Sequence, residues 1–219
     1  MSLDLLEVYR ALRRHNGHLN WWPGRTRLDV ILGAILTQNT AWTNVERALA
    51  NLRSRGWLNL RSLRGVRRDR LAAAIRPSGY YRQKARKLKA FIAFLDQTYA
   101  GSLQKMARAE TGLLRRQLLD VWGIGAETAD SILLYAFHRP VFVVDAYTQR
   151  VMARHGWGPA RAGYEELRGY FETSLPPDVE NWNDFHAQFV WLGKHHCRPR
   201  PQCAGCPLES YLPPDGPRE

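Results

Sequence analysis

Apolar residues recur at helical spacing along most of this chain. Residues 3–15, LDLLEVYRALRRH, have one apolar and one charged face, which predicts an amphipathic helix. Residues 27–38, RLDVILGAILTQ, are apolar on nearly every side, which predicts a buried core helix. Further helices are predicted over residues 41–55, 69–75, 80–99, 112–122, 127–137, 146–156, 163–175 and 179–196. PVFVV, residues 140–144, is the one strand candidate, so we predict an all-α fold.

The composition adds a strong charge signal to this helical pattern. The chain has 219 residues and a formal net charge of +12, which favours an anionic partner, with nucleic acid ahead of an acidic membrane surface. No apolar run approaches the roughly 20 residues that span a bilayer, and the first residues do not resemble a signal peptide. We therefore expect a cytoplasmic protein without a membrane partner.

The strongest local signal is LLDVWGIGAETADSILLYAF, residues 118–137, where two helical stretches meet at Gly123-Ile124-Gly125. Glycine adopts backbone conformations that other residues avoid. A tight turn of this kind leaves N–H groups at the start of the second helix that can bind a phosphate. Ile124 would fix the turn to the core. A plain turn between helices would also use glycine, but the G-I-G spacing, the following Thr128 and the positive charge favour contact with DNA.

Asp145 follows the apolar run VFVV and precedes a predicted helix. It can simply cap that helix. A carboxylate in such a partly dry position beside bound DNA could also stabilise a cationic sugar and orient or deprotonate a water molecule.

The segment NWWPG, residues 20–24, places two tryptophans side by side before a proline. Neighbouring residues on a helix point about 100° apart, so both side chains rarely serve one core face, and Pro23 disfavours helical backbone at the residue before it. The segment is either a loop that closes the edge of a core or an extended stretch that presents aromatic faces.

Taken together, these motifs resemble the helix-hairpin-helix DNA glycosylases of the endonuclease III superfamily along nearly the whole chain. WWPG, ILTQNT, RPSGYYRQKA, GIGAETADSILLYA and VVDAY are most similar to its branch of endonuclease III-like 3-methyladenine DNA glycosylases. The resemblance implies a two-lobed fold, with a helical barrel domain at residues 22–135 and a second helical domain at residues 1–21 and 136–219. The second domain would carry an irregular, cysteine-containing C-terminal loop.

The resemblance also implies a reaction. Bifunctional members carry a lysine two residues after the second glycine of the hairpin, and this lysine forms a Schiff base with the sugar C1′. Glu127 occupies that position here, and a carboxylate cannot form an imine. We therefore expect a monofunctional base excision repair glycosylase without β-lyase activity. It would act as a monomer at the nucleoid, on double-stranded DNA containing a damaged base, with Asp145 assisting water attack.

The resemblance assigns further residues to DNA contact. An enzyme that works on a base must flip it out of the duplex, and Gln38 matches the family position that fills the resulting gap. On the sequence alone, Gln38 could equally be an ordinary polar residue at a helix end. Gly79, Arg82 and Lys84 match a second backbone-contacting element, although they could form a solvated basic face. The complete set of implied DNA-contacting residues is Gln38, Gly79, Arg82, Lys84, Gly123, Ile124, Gly125 and Thr128.

The base pocket implied by the resemblance consists of Trp21, Trp22, Pro23, Trp42 and Lys194. A base stacked between Trp21 and Trp42 would suit alkylated purines, because these carry positive charge and aromatic faces attract cations. Lys194 matches a pocket lysine that can be carbamylated in this branch, although it could also be an ordinary surface lysine.

All three cysteines lie near the C-terminus, at Cys197, Cys203 and Cys206. They resemble the iron–sulfur loop of endonuclease III, which has four cysteines, but Leu212 stands at the fourth position and cannot ligate a metal. The resemblance implies a [4Fe–4S] cluster whose fourth ligand is unidentified: a histidine, another side chain or an exogenous group. Zinc bound by three cysteines and a histidine, or a loop without metal, also stays open.

Two other functions stay open at this point. An endonuclease III-type glycosylase for oxidised pyrimidines would fit the superfamily, but Glu127 and the tryptophan pair argue against it. A catalytically weak DNA-binding protein would keep the hairpin and the charge, yet it would not need Asp145 or the aromatic motif.

Overall fold

The computed structural model describes residues 4–21, 24–158 and 162–218. Within these ranges the regular structure is helical throughout, with no β-strand, so the predicted all-α class is confirmed. The chain divides into two compact units: Trp22–His138, here called the central unit, and Met1–Trp21 with Arg139–Glu219, here called the terminal unit. The predicted barrel domain and second domain stay predictions for these two segments.

The central unit contains most of the helices. They are α2 (Arg27–Leu36), α3 (Trp42–Ser54), α4 (Leu60–Gly65), α5 (Arg68–Ala74), α6 (Tyr81–Tyr99), α7 (Leu103–Met106), α8 (Thr111–Leu119) and α9 (Ala126–Ser131). A 3₁₀ turn at Arg76–Ser78 separates α5 from α6, and α9 continues as a π-helical segment at Ile132–Ala136.

Helix α2 forms the core of the central unit. Every residue after Arg27 is buried, and the helix packs against α3, α6 and the π-helical segment. Thr26 caps its first turn by accepting a hydrogen bond from the Asp29 N–H at 3.1 Å. The helix is apolar all round because neighbours cover every side, as the sequence pattern indicated.

An ion pair joins the two helices that flank the glycine turn. Arg115 on α8 donates to both carboxylate oxygens of Asp130 on α9, at 2.7 and 3.0 Å. The Asp130 side chain is fully buried. A bidentate pair of this kind fixes the relative orientation of two planar groups, so it holds α8 and α9 as one hairpin.

The terminal unit consists of α1 (Leu5–Asn16), α10 (Ala146–His155), α11 (Tyr164–Ser174) and α12 (Val179–His195), followed by a 3₁₀ turn at Glu209–Tyr211. Helix α12 packs against both α1 and α10. Aromatic rings fill the core of the terminal unit: Phe142 stacks on Phe171 with ring centroids 4.0 Å apart, and Phe185 stacks on Phe189 with ring centroids 4.8 Å apart.

Three local features differ from the sequence predictions. Helices α4 and α7 were not predicted because six and four residues are too few to show a helical period. The second half of the predicted helix 127–137 is the π-helical segment, whose five side chains are all buried. The strand candidate is an extended, buried segment without a ladder partner, and it leads directly into Asp145. No helix in the described residues combines the length and apolar character needed to cross a membrane.

Candidate functional site

The glycine turn of the α8–α9 hairpin has a conformation that its sequence requires. Gly123 has φ +86°, and a Cβ there would lie 2.5 Å from Cγ of Lys87, so only glycine fits. Ile124 is buried and donates its N–H to the Val121 carbonyl at 3.0 Å. The predicted anchoring of the turn by Ile124 agrees with this burial.

The start of α9 is open to a ligand. Gly125 adopts an extended conformation before the helix and supplies no capping side chain. No described atom lies within 4 Å of the position where its Cβ would stand. The first N–H groups of a helix lack partners within the helix, so this opening can accept an anionic oxygen.

Gln38 is bound to the hairpin. Its Nε2 donates to the Gly123 carbonyl at 3.1 Å and to the Thr128 hydroxyl at 2.9 Å, while its Oε1 accepts from Lys87 Nζ. Thr128 is itself buried, so its side chain anchors Gln38 in this structure. Each neutral bond of this kind contributes about 1 kcal/mol net, and the bond from the Lys87 ammonium about 1.5–3 kcal/mol, so the contact of Gln38 with DNA stays a prediction that requires these bonds to be exchanged.

An open groove of about 370 Å³ lies beside Gln38 in the central unit. Two aromatic residues that the sequence reasoning did not select line it. Tyr80 is 71 % exposed and has φ +44°, and Trp122 is 42 % exposed, with the Arg86 guanidinium 3.8 Å from its ring centre. The signal that could have identified them is an aromatic residue directly beside each turn glycine, Gly79 and Gly123.

The start of α6 lies on this groove. Gly79 has φ +66°, and no side chain caps the helix that follows. Arg82 is exposed, as a DNA-contacting role requires. Lys84 is not: it is 2 % exposed and donates to the Ser78 carbonyl at 2.6 Å. Burial, with a smaller contribution from Lys87, lowers the pKa of Lys84 to about 8, so its position supports a structural role instead of phosphate contact.

The aromatic pocket residues fall in both units. Trp21, in the terminal unit, has the ammonium of Lys194 5.7 Å from its ring centre, and its buried indole N–H lacks a hydrogen-bond partner among the described residues. Trp42, in the central unit, donates its indole N–H to Glu46 at 3.1 Å. Trp22 and Pro23 lie outside the described residues. The stacking of a base between Trp21 and Trp42 stays a prediction.

Asp145 caps α10 and keeps one carboxylate oxygen for other contacts. Oδ1 accepts from the Thr148 N–H at 2.8 Å and from the Thr148 hydroxyl at 3.0 Å, whereas Oδ2 lies 3.6 Å from Nε2 of His186. Burial raises the pKa of Asp145, but His186 and the Thr148 donors outweigh it, and the net pKa is lowered. The group is therefore an anion at neutral pH, at a helix start that favours negative charge.

A second buried carboxylate, missed by the sequence reasoning, fixes the segment before Trp21. Asp184 on α12 is fully buried; Oδ1 accepts from the Leu19 N–H at 2.8 Å and Oδ2 accepts from the Tyr9 hydroxyl at 3.0 Å. Burial and then the charge of Asp184 raise the pKa of Tyr9, which keeps it a donor. Asp184 therefore ties the backbone two residues before Trp21 to α12.

The cysteine loop is held against α10 and α12 by arginine. Arg154 donates to the carbonyls of Arg198 and Pro199 at 2.5 and 2.7 Å, and its guanidinium lies 3.4 Å from the Cys197 sulfur. Arg150 donates to the Cys197 carbonyl at 2.6 Å. All three cysteines are free thiols.

These thiols line one small cavity of about 10 Å³, together with His155, His196 and Leu212. Among the described residues, no three potential ligands already have the arrangement of a formed metal site. Burial raises the pKa of Cys206 to about 11 and also raises that of Cys203, so a metal bound here would displace their protons.

Each of the two units therefore presents different features that indicate the same kind of function. The central unit presents a glycine hairpin and uncapped helix starts in a strongly basic chain, and the terminal unit presents a partly buried, ionised carboxylate with an aromatic ring on the same unit. These features define a helix-hairpin-helix enzyme that acts on nucleic acid.

Comparison with known proteins identifies the particular family. Residues 32–177 match the model of the HhH-GPD superfamily of base excision DNA repair proteins. The chain belongs to this superfamily. It is a DNA glycosylase of base excision repair, so the predicted enzyme class and the predicted membership of the endonuclease III superfamily are confirmed.

Individual relatives support the assignment. The chain is 44% identical over 209 residues to a Methanocaldococcus jannaschii protein named "Putative DNA repair glycosylase MJ1434", covering 94% of each chain. It is 28% identical to endonuclease III of Thermotoga maritima, covering 83% of this chain and 80% of that protein.

Solved structures agree with the fold. An H. pylori 3-methyladenine DNA glycosylase (MagIII), bound to 1,N6-ethenoadenine, matches with TM-score 0.75 and 30% identity over 88% of this chain and 98% of the other. An endonuclease III–DNA complex matches with TM-score 0.81 and 23% identity over 97% and 96% of the two chains; this second likeness concerns the fold alone.

Proposed function

We propose that this protein is a monofunctional glycosylase that excises alkylated purines, such as 3-methyladenine, from double-stranded DNA. The observation that carries the proposal is the state of Asp145. Its side chain is 13 % exposed and ionised, one oxygen is fixed by the helix cap, and the other is not part of that cap. A carboxylate held in this way is preorganised to act on a positive charge.

The reaction needs little more than this charge. As the bond between the sugar C1′ and the base nitrogen breaks, positive charge builds on the sugar, and the Asp145 anion stabilises it. The electron pair of the breaking bond goes to the base. Because an alkylated purine is cationic, it leaves as a neutral molecule without an acid catalyst. A water molecule then bonds to C1′ and gives its proton to Asp145 Oδ2 or to solvent.

The absence of β-lyase activity follows from Glu127. This residue lies exposed in the first turn of α9, where bifunctional relatives carry a lysine. A carboxylate has no amine with which to form an imine, so water remains the nucleophile.

Trp21 supports recognition of a flat, positively charged base, and the Lys194 ammonium, itself a cation, would have to move off the ring to admit it. The backbone two residues before Trp21 is held by the Asp184–Leu19 contact, and Lys194 lies over the ring at a distance suited to a cation–π contact. The 30% identity to a 3-methyladenine DNA glycosylase supports this substrate class. Trp42, Trp22 and Pro23 match the base-pocket motif of the resembling branch and stay in the proposal as candidate base contacts.

The central unit would hold the DNA. The open starts of α6 and α9 suit two phosphates, Arg82 and Arg86 add positive charge, and Tyr80 is exposed enough to enter the base stack as a wedge. Gln38 would leave the hairpin to fill the space of the flipped base. The substrate places this work at the nucleoid, in the cytoplasm, and one chain is sufficient for all these contacts.

We also propose that the C-terminal loop holds a [4Fe–4S] cluster. The donor chemistry fits: three free thiols line one cavity with the imidazole of His155, whose Nε2 is buried without a hydrogen-bond partner. When bound, the cluster would cross-link the loop to α10 and α12. The excision steps above use only side chains of the chain itself.

Base release from defined duplexes tests the proposed function. One duplex is methylated to contain 3-methyladenine, and the other contains thymine glycol, because the similarity to endonuclease III makes oxidised pyrimidines the competing substrate class. We expect release of 3-methyladenine only, and loss of that release in Asp145→Asn. Release of thymine glycol alone would reject the substrate class, and 3-methyladenine release that survives Asp145→Asn would reject the mechanism.

A further inference from the structure

We propose that Nε2 of His155 is the fourth protein ligand of the C-terminal cluster, beside Cys197, Cys203 and Cys206. The inference rests on the cluster proposed above and supplies the ligand that Leu212 cannot provide. His155 is the last residue of α10, and it lines the same cavity as the three thiols.

The hydrogen bonding of His155 leaves Nε2 able to bind a metal. Nδ1 lies 2.8 Å from the Val151 carbonyl, and a carbonyl only accepts, so the Nδ1 atom carries the proton. In a neutral imidazole the other nitrogen then has a bare lone pair. A metal-bound histidine almost always donates its second ring nitrogen to a carbonyl or carboxylate in this way.

Nε2 of His155 also lacks a hydrogen-bond partner among the described residues. The residue is 7 % exposed, and within the described part of the chain Nε2 is buried with no hydrogen bond of acceptable geometry, although the Leu208 carbonyl faces the ring. Most buried polar atoms have a partner, so an orphaned nitrogen in a cavity lined by three thiols indicates a missing ligand. The ring is held in place by stacking on Trp157, with centroids 4.2 Å apart.

The other side chains of the cavity fit less well. Leu212 has no donor atom. His196 is only half-buried, has Nδ1 3.1 Å from the Gln202 carbonyl, and packs its ring against Trp191. Its second nitrogen is not among the buried atoms that lack a partner. A His196 variant therefore serves as the control for the His155 variants.

Binding of the cluster must enlarge the cavity, because its volume of about 10 Å³ holds only roughly one water molecule. The cysteines at 203 and 206 lie on the irregular loop, whereas His155 and Cys197 lie at the ends of α10 and α12. The loop thiols would move toward two fixed donors. Since α10 has ten residues, the cluster would fix a helix whose opposite end, about 15 Å away, carries Asp145.

The test uses the full-length protein, purified without oxygen, and the variants His155→Cys, His155→Ala and His196→Ala. We expect about four iron atoms per chain in the wild type. Pulsed electron paramagnetic resonance of the reduced cluster should show coupling to a nitrogen that changes with isotope-labelled histidine. His155→Cys should keep the iron, lose the nitrogen coupling and lower the reduction potential, because thiolate replaces imidazole. His155→Ala should lose at least one iron per cluster.

Each contrary outcome has a definite meaning. A wild-type cluster without nitrogen coupling, coupling that persists in His155→Cys, or coupling lost only in His196→Ala would overturn the assignment of His155. Protein that binds no iron even after reconstitution would overturn the cluster itself, and His155 with it, while leaving the base-release assay unaffected. Thermal unfolding by circular dichroism confirms that His155→Cys is folded, so the spectra can be compared.

Discussion

Replacing Asp145 by Asn and by Ala separates catalysis from folding. The carboxylate has two tasks in the structure: Oδ1 accepts two hydrogen bonds from Thr148, and the negative charge lies at the start of α10 near His186. Asn keeps an oxygen for the cap but removes the charge. Ala removes both.

The expected magnitudes differ for the two tasks. Asn is as good a cap as Asp, so Asp145→Asn should lower the free energy of unfolding only by what the negative charge contributes at the helix start and beside His186, about 0.3–2 kcal/mol. Asp145→Ala should cost about 1–2 kcal/mol more, because the cap is lost and the Thr148 N–H loses its acceptor. Both should slow base release by about 10²–10⁴-fold, or about 3–5.5 kcal/mol of activation free energy.

Single-turnover release of 3-methyladenine measures the activity, and urea unfolding measures the stability. Equal losses of activity with unequal losses of stability would support a catalytic charge. If Asp145→Asn retains a tenth or more of the wild-type rate, or if activity follows stability across the two variants, the reasoning is wrong and Asp145 is mainly a helix cap.

Because the net pKa of Asp145 is lowered, its carboxylate is ionised above about pH 4. The contribution of this charge to the free energy of unfolding is therefore present above that pH and is lost on further acidification. An Asp145-dependent loss of kcat/KM between pH 5 and 8 would contradict this. Borohydride should trap no covalent adduct of the wild type with DNA, since Glu127 has no amine; a robust adduct on a denaturing gel is the contrary result. Arg115→Met should lower the unfolding free energy by about 1.5–3 kcal/mol by removing a charged hydrogen-bond donor to the buried Asp130, and adding Asp130→Asn should recover part of the loss in urea unfolding. Asp184→Asn should lower the free energy of unfolding by about 1.5–3 kcal/mol, because its hydrogen bonds are weakened, and it should raise the KM for methylated DNA. An unchanged KM despite the lost stability would show that Asp184 does not position the pocket.

The local elements could be predicted because their causes are local. The apolar spacing of residues 27–38 gives a helix that is covered on every side, and Gly123, with its positive φ, gives a turn that other residues would strain. The family could be inferred from these motifs together with Asp145 and the glutamate at 127. Helices α4 and α7 are too short for a period to appear, so local patterning could not show them.

Contacts between distant residues are what the sequence could not supply. Lys84 belongs to a basic run, yet the helix buries it and gives its ammonium to the Ser78 carbonyl. Asp184 is one of several acids on a helical pattern, and only packing shows that it holds the backbone before Trp21.

The sequence by itself determined an all-helical, basic DNA glycosylase with a glycine hairpin, an aspartate after an apolar run and one ligand missing from a cysteine loop. Only the tertiary structure decided which oxygen of Asp145 is taken by the helix cap, and which of the two histidines in the thiol cavity has a buried ring nitrogen without a hydrogen-bond partner among the described residues. The physical reason is that helix, turn and charge depend on residues close in sequence, whereas burial and hydrogen-bond partners depend on how distant segments pack. His155 and Cys206 are 51 residues apart in the chain, and no spacing rule connects them.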